Sequence, residues 1–105
     1  MSEFLMQAPP EMLDYFREIA EEMQRLFGIS RAEAVARINA AYGGETFDEW
    51  PDLMCHELPE HWAYGLYYGD VPYWDENADR SSWQVREAPP RDSPAWTIPP
   101  EGSSA

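Results

Sequence analysis

Both histidines and the single cysteine of this chain fall inside one short stretch, "CHELPEH", Cys55 to His61. Cysteine, histidine and carboxylate together are the donor types of a metalloenzyme site. The spacing argues against it. Zinc proteases carry H-E-x-x-H because residues four apart share one helical face; here the interval is H-E-x-x-x-H, which turns His61 about 100° further round a helix. Pro59 also lies between the two histidines and interrupts a helix running through both. A Cys55 nucleophile with His61 as base lacks any surrounding hydrolase signature, and a lone cysteine usually packs as a small hydrophobe. A small metal-dependent enzyme using His56, Glu57 and His61 stands as one alternative. No catalytic residue, metal ligand or cofactor is assigned.

The carboxylates Asp48, Glu49, Asp52, Glu57, Glu60, Asp70, Asp75, Glu76 and Asp79 could supply an acid/base couple, but any acidic chain offers such pairs. Gly43-Gly44, Gly65 and Gly69 have no lysine beside them, so no phosphate cradle is recognisable. "LFGISRAEAVARINAAY" invites comparison with a DNA-binding helix-turn-helix through residues 28–42, with Arg31 and Arg37 on phosphate. Its first helix is too long, and Gln24 and Ala34 sit where that motif wants other residues. That regulator is the second alternative.

The strongest signal is the interleaving of rings and acids. "HWAYGLYYGDVPYWDENADRSSW" holds three tryptophans and four tyrosines within 23 residues. Exposed tyrosine and tryptophan are the usual anchors of protein contacts, and surrounding acids select a basic partner. The sequence therefore supports a non-catalytic, acidic protein-binding module of the immunity-protein, antitoxin or small-regulator kind, including a nucleic-acid mimic. Tyr64, Tyr73 and Trp74 would give apolar contact, while Asp70, Asp75, Glu76 and Asp79 steer the partner.

Composition agrees with that reading. The chain of 105 residues carries a formal charge of −13. Residues 44–88 hold eleven acids against two arginines, net −9, while residues 1–43 come to −3 and 89–105 to −1. Such a surface is repelled by nucleic acid and anionic lipid and drawn to basic protein. No apolar run reaches the roughly 18 residues that span a bilayer, and the opening residues lack the basic start and apolar stretch of a secretory signal. The expectation is a cytoplasmic protein with no membrane contact, and one cysteine cannot close an internal disulfide.

These residues need a scaffold, and the sequence predicts a mainly α, single domain over 10–88. An apolar stripe of Met12, Phe16, Ile19, Met23, Leu26 and Phe27 predicts a helix over 10–27, ended by Gly28. Ser30 and Glu33 have the spacing of a capping box and open a second helix over 31–42. The two form a hairpin or corner. Pro59 can open a third helix over 60–68, although Trp62, Tyr64, Leu66 and Tyr68 alternate as a strand would, leaving α+β with a short strand at 62–68 as the alternative. The expected core is Phe16, Ile19, Met23, Leu26, Val35, Ile38 and Trp62. Residues 1–9 read as an N-terminal arm, "TFDEWPDL" (46–53) as a loop or short turn anchored by Phe47 and Trp50, and 70–88 as irregular. The Pro/Ser-rich 89–105 reads as a flexible tail.

"GISRAEAVARIN", the "HE" of His56-Glu57, and "WAYGLYYG" from Trp62 to Gly69 together resemble a set of short bacterial proteins to which no activity is attached. The resemblance covers about residues 25–75. It implies a shared fold and no chemistry.

Overall fold

The computed structural model describes residues 3–47 and 57–98. Three helices are built from them: α1 (Pro10–Phe27), α2 (Arg31–Tyr42) and α3 (Pro59–Tyr67), followed by a single 3-10 turn at Arg80–Ser82. The third segment is a helix, so the strand alternative at 62–68 falls. Proline at its first turn costs no hydrogen bond, because that amide has no helical partner.

Each boundary has a local cause. Gly28 sits in the left-handed region at φ 67°, where a side chain would be strained, and its amide donates to the Gln24 carbonyl at 3.0 Å. Ser30 then caps α2, its hydroxyl accepting from the Glu33 amide at 3.1 Å. Only half of the expected capping box forms. The Glu33 carboxylate turns along the helix instead and accepts from Arg37 Nε at 2.8 Å.

The apolar stripe puts α1 at the centre, packed on both other helices. The Tyr15 hydroxyl donates to the Glu57 carbonyl just ahead of α3, while Phe27 packs on Tyr64 and Tyr67 towards its end. Helix α3 therefore runs beside α1 in the same direction. Phe16, Ile19, Met23, Val35 and Ile38 are fully buried as expected, whereas Leu26 and Trp62 lie at the margin of the core.

The segments flanking the helices contribute more than their composition suggests. Phe4 and Met6 are buried, with Phe4 tilted on Phe16 at 5.9 Å, and the Phe47 amide donates to the Gln7 carbonyl at 2.7 Å. Beyond Ala88, the described part of the expected tail packs too: Ala95 is buried and Ile98 meets the core. Asn39 of α2 ties both segments down. Its Oδ1 accepts from the Leu5 amide, and its Nδ2 donates to the carbonyls of Glu3 and Ala95. The Thr97 hydroxyl donates to the same Glu3 carbonyl. As a result α2 is covered on both sides, with every residue from Ala34 to Asn39 buried.

Candidate functional site

The ring-rich segment is organised around the end of α1. Tyr64 and Tyr67 of α3 and Tyr68 at its C-terminal cap are three and four apart and share a face. Phe27 stacks on Tyr67 with centroids 4.1 Å apart and planes at 10°, and meets Tyr64 and Tyr68 edge-on at 5.3 and 5.5 Å. Gly69, at φ 99°, turns the chain out of the helix. The following loop folds back, stacking Tyr73 on Tyr64 at 4.9 Å and 8°, with Trp83 edge-on to Tyr68 at 5.4 Å.

Arg80 pins this arrangement. Its Nη1 donates to the Tyr64 hydroxyl at 3.2 Å and its Nη2 to the Tyr73 carbonyl at 2.7 Å. The guanidinium lies 4.8 Å from the centre of the Trp83 ring. A planar cation over a ring that also donates to two oxygens ties the loop to α3. In the sequence Arg80 is marked only as one arginine between two aromatic runs.

The expected contact residues end in different places. Tyr64 is 8% exposed and belongs to the interior of the cluster. Tyr73 is half-buried. Partial loss of water raises its phenol above the ordinary value, helped by the negative charges of Glu57 and Glu60. Trp74 points outward, 68% exposed, in an edge-to-face contact with Tyr73 at 5.2 Å and 84°.

Asp70, Asp75, Glu76 and Asp79 are all exposed on the same loop. Two of them also shape it. Asp75 accepts from the Asn77 amide at 2.9 Å, and Asp79 caps the 3-10 turn by accepting from the Ser81 amide at 3.2 Å. Asp70 and Glu76 make no ion pair or hydrogen bond among the described residues. Beside Trp74 runs a groove of about 310 Å³ lined by His61, Trp62, Asp70, Tyr73, Trp74 and Arg86 among others.

A second acidic concentration was not anticipated. Glu18, Glu21 and Glu22 of α1 face Leu58, Pro59 and Glu60 across a groove of about 390 Å³, with Leu58 71% exposed. Its signal was the run of acids spaced three and four apart on the outer face of α1.

The chemistry-bearing motifs fare differently. Cys55 and His56, like Asp48, Glu49, Trp50 and Asp52, lie outside the described residues. His61 sits in the first turn of α3, its Nδ1 3.3 Å from the Tyr73 hydroxyl and its ring against Trp62. Glu57 is exposed, two residues ahead of that helix. Among the described residues no group of three or more histidine, cysteine or acidic side chains could hold a metal ion. The two arginines that the DNA-binding alternative needs are engaged elsewhere. Arg31 pairs with Glu3 at 2.6 Å; Arg37, only 6% exposed, pairs with Glu33 and lies over Tyr67 at 4.9 Å. Among the described residues no helix is long and apolar enough to cross a membrane.

No family model matches this chain, and no curated protein or solved structure matches it either.

Proposed function

We propose that the protein is a non-catalytic, acidic protein-binding module whose loop 70–79 engages a basic partner. The observation that carries the reading is Trp74. In a cluster where the neighbouring rings pack on one another, this large apolar side chain is left 68% exposed on a loop bearing Asp70, Asp75, Glu76 and Asp79. A tryptophan held edge-to-face against the tyrosine stack loses little further freedom on binding, as interface anchors require. The surrounding acids raise the encounter rate with a basic surface and penalise acidic ones. A partner that itself binds DNA or RNA fits the same pattern, with carboxylates in place of phosphates. The lone cysteine suits a reducing, cytoplasmic setting.

The test is affinity purification from the native cell at low and moderate salt, followed by reassembly of the purified pair. A basic protein retained at low salt, and lost with Trp74→Ala or with Asp75→Asn combined with Glu76→Gln, is the expected result. A partner whose affinity ignores all three substitutions contradicts the assignment of this surface. Turnover of a small substrate that disappears with His56→Ala or His61→Ala, with no partner retained, replaces the reading with the enzyme.

A further inference from the structure

We infer that the groove beside Trp74 is a receptor for an arginine side chain of the partner, with the indole as stacking wall and Asp70 as counter-ion. The inference rests on the binding-module reading and specifies what its surface recognises. Three observations combine. Trp74 and Tyr73 stand at 84° to one another and form two walls of a corner, continued by His61 and Trp62, themselves at 83°. Asp70 lines the same groove, exposed and without an ion pair among the described residues. Elsewhere the fold shows the interaction in use: Arg37 lies over Tyr67, Arg80 over Trp83 and Arg91 over Trp96. Among the described residues no cation lies over Trp74.

The chemistry selects the occupant. A ring face attracts cations, and a guanidinium both stacks flat on an indole and offers a two-pronged donor edge to a carboxylate. An ammonium is a point charge with stronger hydration and gains less from such a corner. A groove of about 310 Å³ suits one long side chain better than a helix. Arg86 also lines the groove. It opposes a cationic occupant and would attract an anionic one, so its removal discriminates between the two by sign.

The experiment titrates the full chain with acetyl-Gly-Arg-Gly-Arg-Gly-amide at low salt, following the indole N–H resonance of Trp74. Matched peptides carry lysine, neutral citrulline or glutamate in place of arginine. Expected is a saturable shift with the arginine peptide, weaker binding with lysine, and none with citrulline or glutamate. Asp70→Asn weakens the arginine peptide by about tenfold or more, as loss of a charged hydrogen bond implies, while Arg86→Gln tightens it about twofold. Glu11→Gln makes the same charge change as Asp70→Asn at the opposite end of α1 from Phe27 and leaves binding unaltered. No shift with the arginine peptide, equal losses with Asp70→Asn and Glu11→Gln, or weaker binding with Arg86→Gln each overturns the inference. A basic partner retained from cells but insensitive to Asp70→Asn overturns the groove while the module reading stands. Arginine-specific binding with no partner retained does the reverse.

Discussion

Replacing Asn39 with alanine should destabilise the fold strongly for a single polar change. The side chain is 4% exposed, and it serves three backbone groups from two distant segments: the Leu5 amide at 2.9 Å and the Glu3 and Ala95 carbonyls at 3.0 Å. The Glu3 carbonyl keeps the Thr97 hydroxyl as a second donor. Alanine therefore strips the side-chain partner from the Leu5 amide and the Ala95 carbonyl. The buried Ala95 carbonyl left unpaired costs about 1–3 kcal/mol, and each of the other two bonds, to partly buried groups, about 0.5–1.5 kcal/mol. Water reaching the loosened segments recovers part of this, so a loss of about 3 kcal/mol is expected, or about 12–24 °C in Tm for a domain near this size. Urea denaturation followed by circular dichroism gives the number directly. Asn39→Asp should be worse, because a carboxylate then faces two carbonyls it cannot donate to. In a chain ending at Ala88 the Ala95 bond drops out, but the Glu3 carbonyl has then lost its Thr97 donor as well, so the net effect is that Asn39→Ala should cost about 1 kcal/mol less there. A loss under about 0.5 kcal/mol in the full chain, or equal losses in both backgrounds, refutes the argument.

Ending the chain at Ala88 should by itself lower the denaturation midpoint, because Ala95, Thr97 and Ile98 pack on the core or bond to it; an unchanged midpoint would restore the tail to an appendage. Trp74→Ala should change stability by under about 0.5 kcal/mol, whereas Tyr64→Ala should cost about 3–5 kcal/mol; urea midpoints of the two variants check the division between surface and core. Burial, and then the charge of Glu45, raise the Tyr42 phenol above its ordinary value. The folded state thus holds that proton more tightly than the unfolded one. The stability this contributes is complete below about pH 10, the unfolded value, and is lost as pH rises through the folded value. Tyr42→Phe should flatten that alkaline loss in melts recorded between neutral and strongly alkaline pH.

What could be read in the sequence was what local chemistry decides. The stripe from Met12 to Phe27, the glycine at 28 and the Ser30 cap specify α1 and α2 with only neighbouring residues involved, and those helices run Pro10–Phe27 and Arg31–Tyr42. Trp62 to Tyr68 was ambiguous because alternation and helical spacing both fit a run so rich in rings; burial against Phe27 decides it, and Phe27 lies far away in the chain. Phe4, Met6 and Ala95 escaped notice for a similar reason. They sit in segments without a period, held by Asn39 through bonds spanning 34 to 56 residues. The loop acids and Trp74 were visible as residue types, but not which rings would face outward. That depends on Arg80 drawing Tyr73 onto Tyr64 and leaving Trp74 at the edge.

The measurement that bears most directly on the central claim is an amide and indole NMR footprint of the purified partner on the labelled protein. The account predicts perturbations concentrated in residues 70–79 and at the Trp74 indole, fading as salt is raised from low to moderate, with the buried face of Tyr64 unaffected. Perturbations confined to α2, or to the Glu18, Glu21 and Leu58 groove, with Trp74 unmoved, would contradict it.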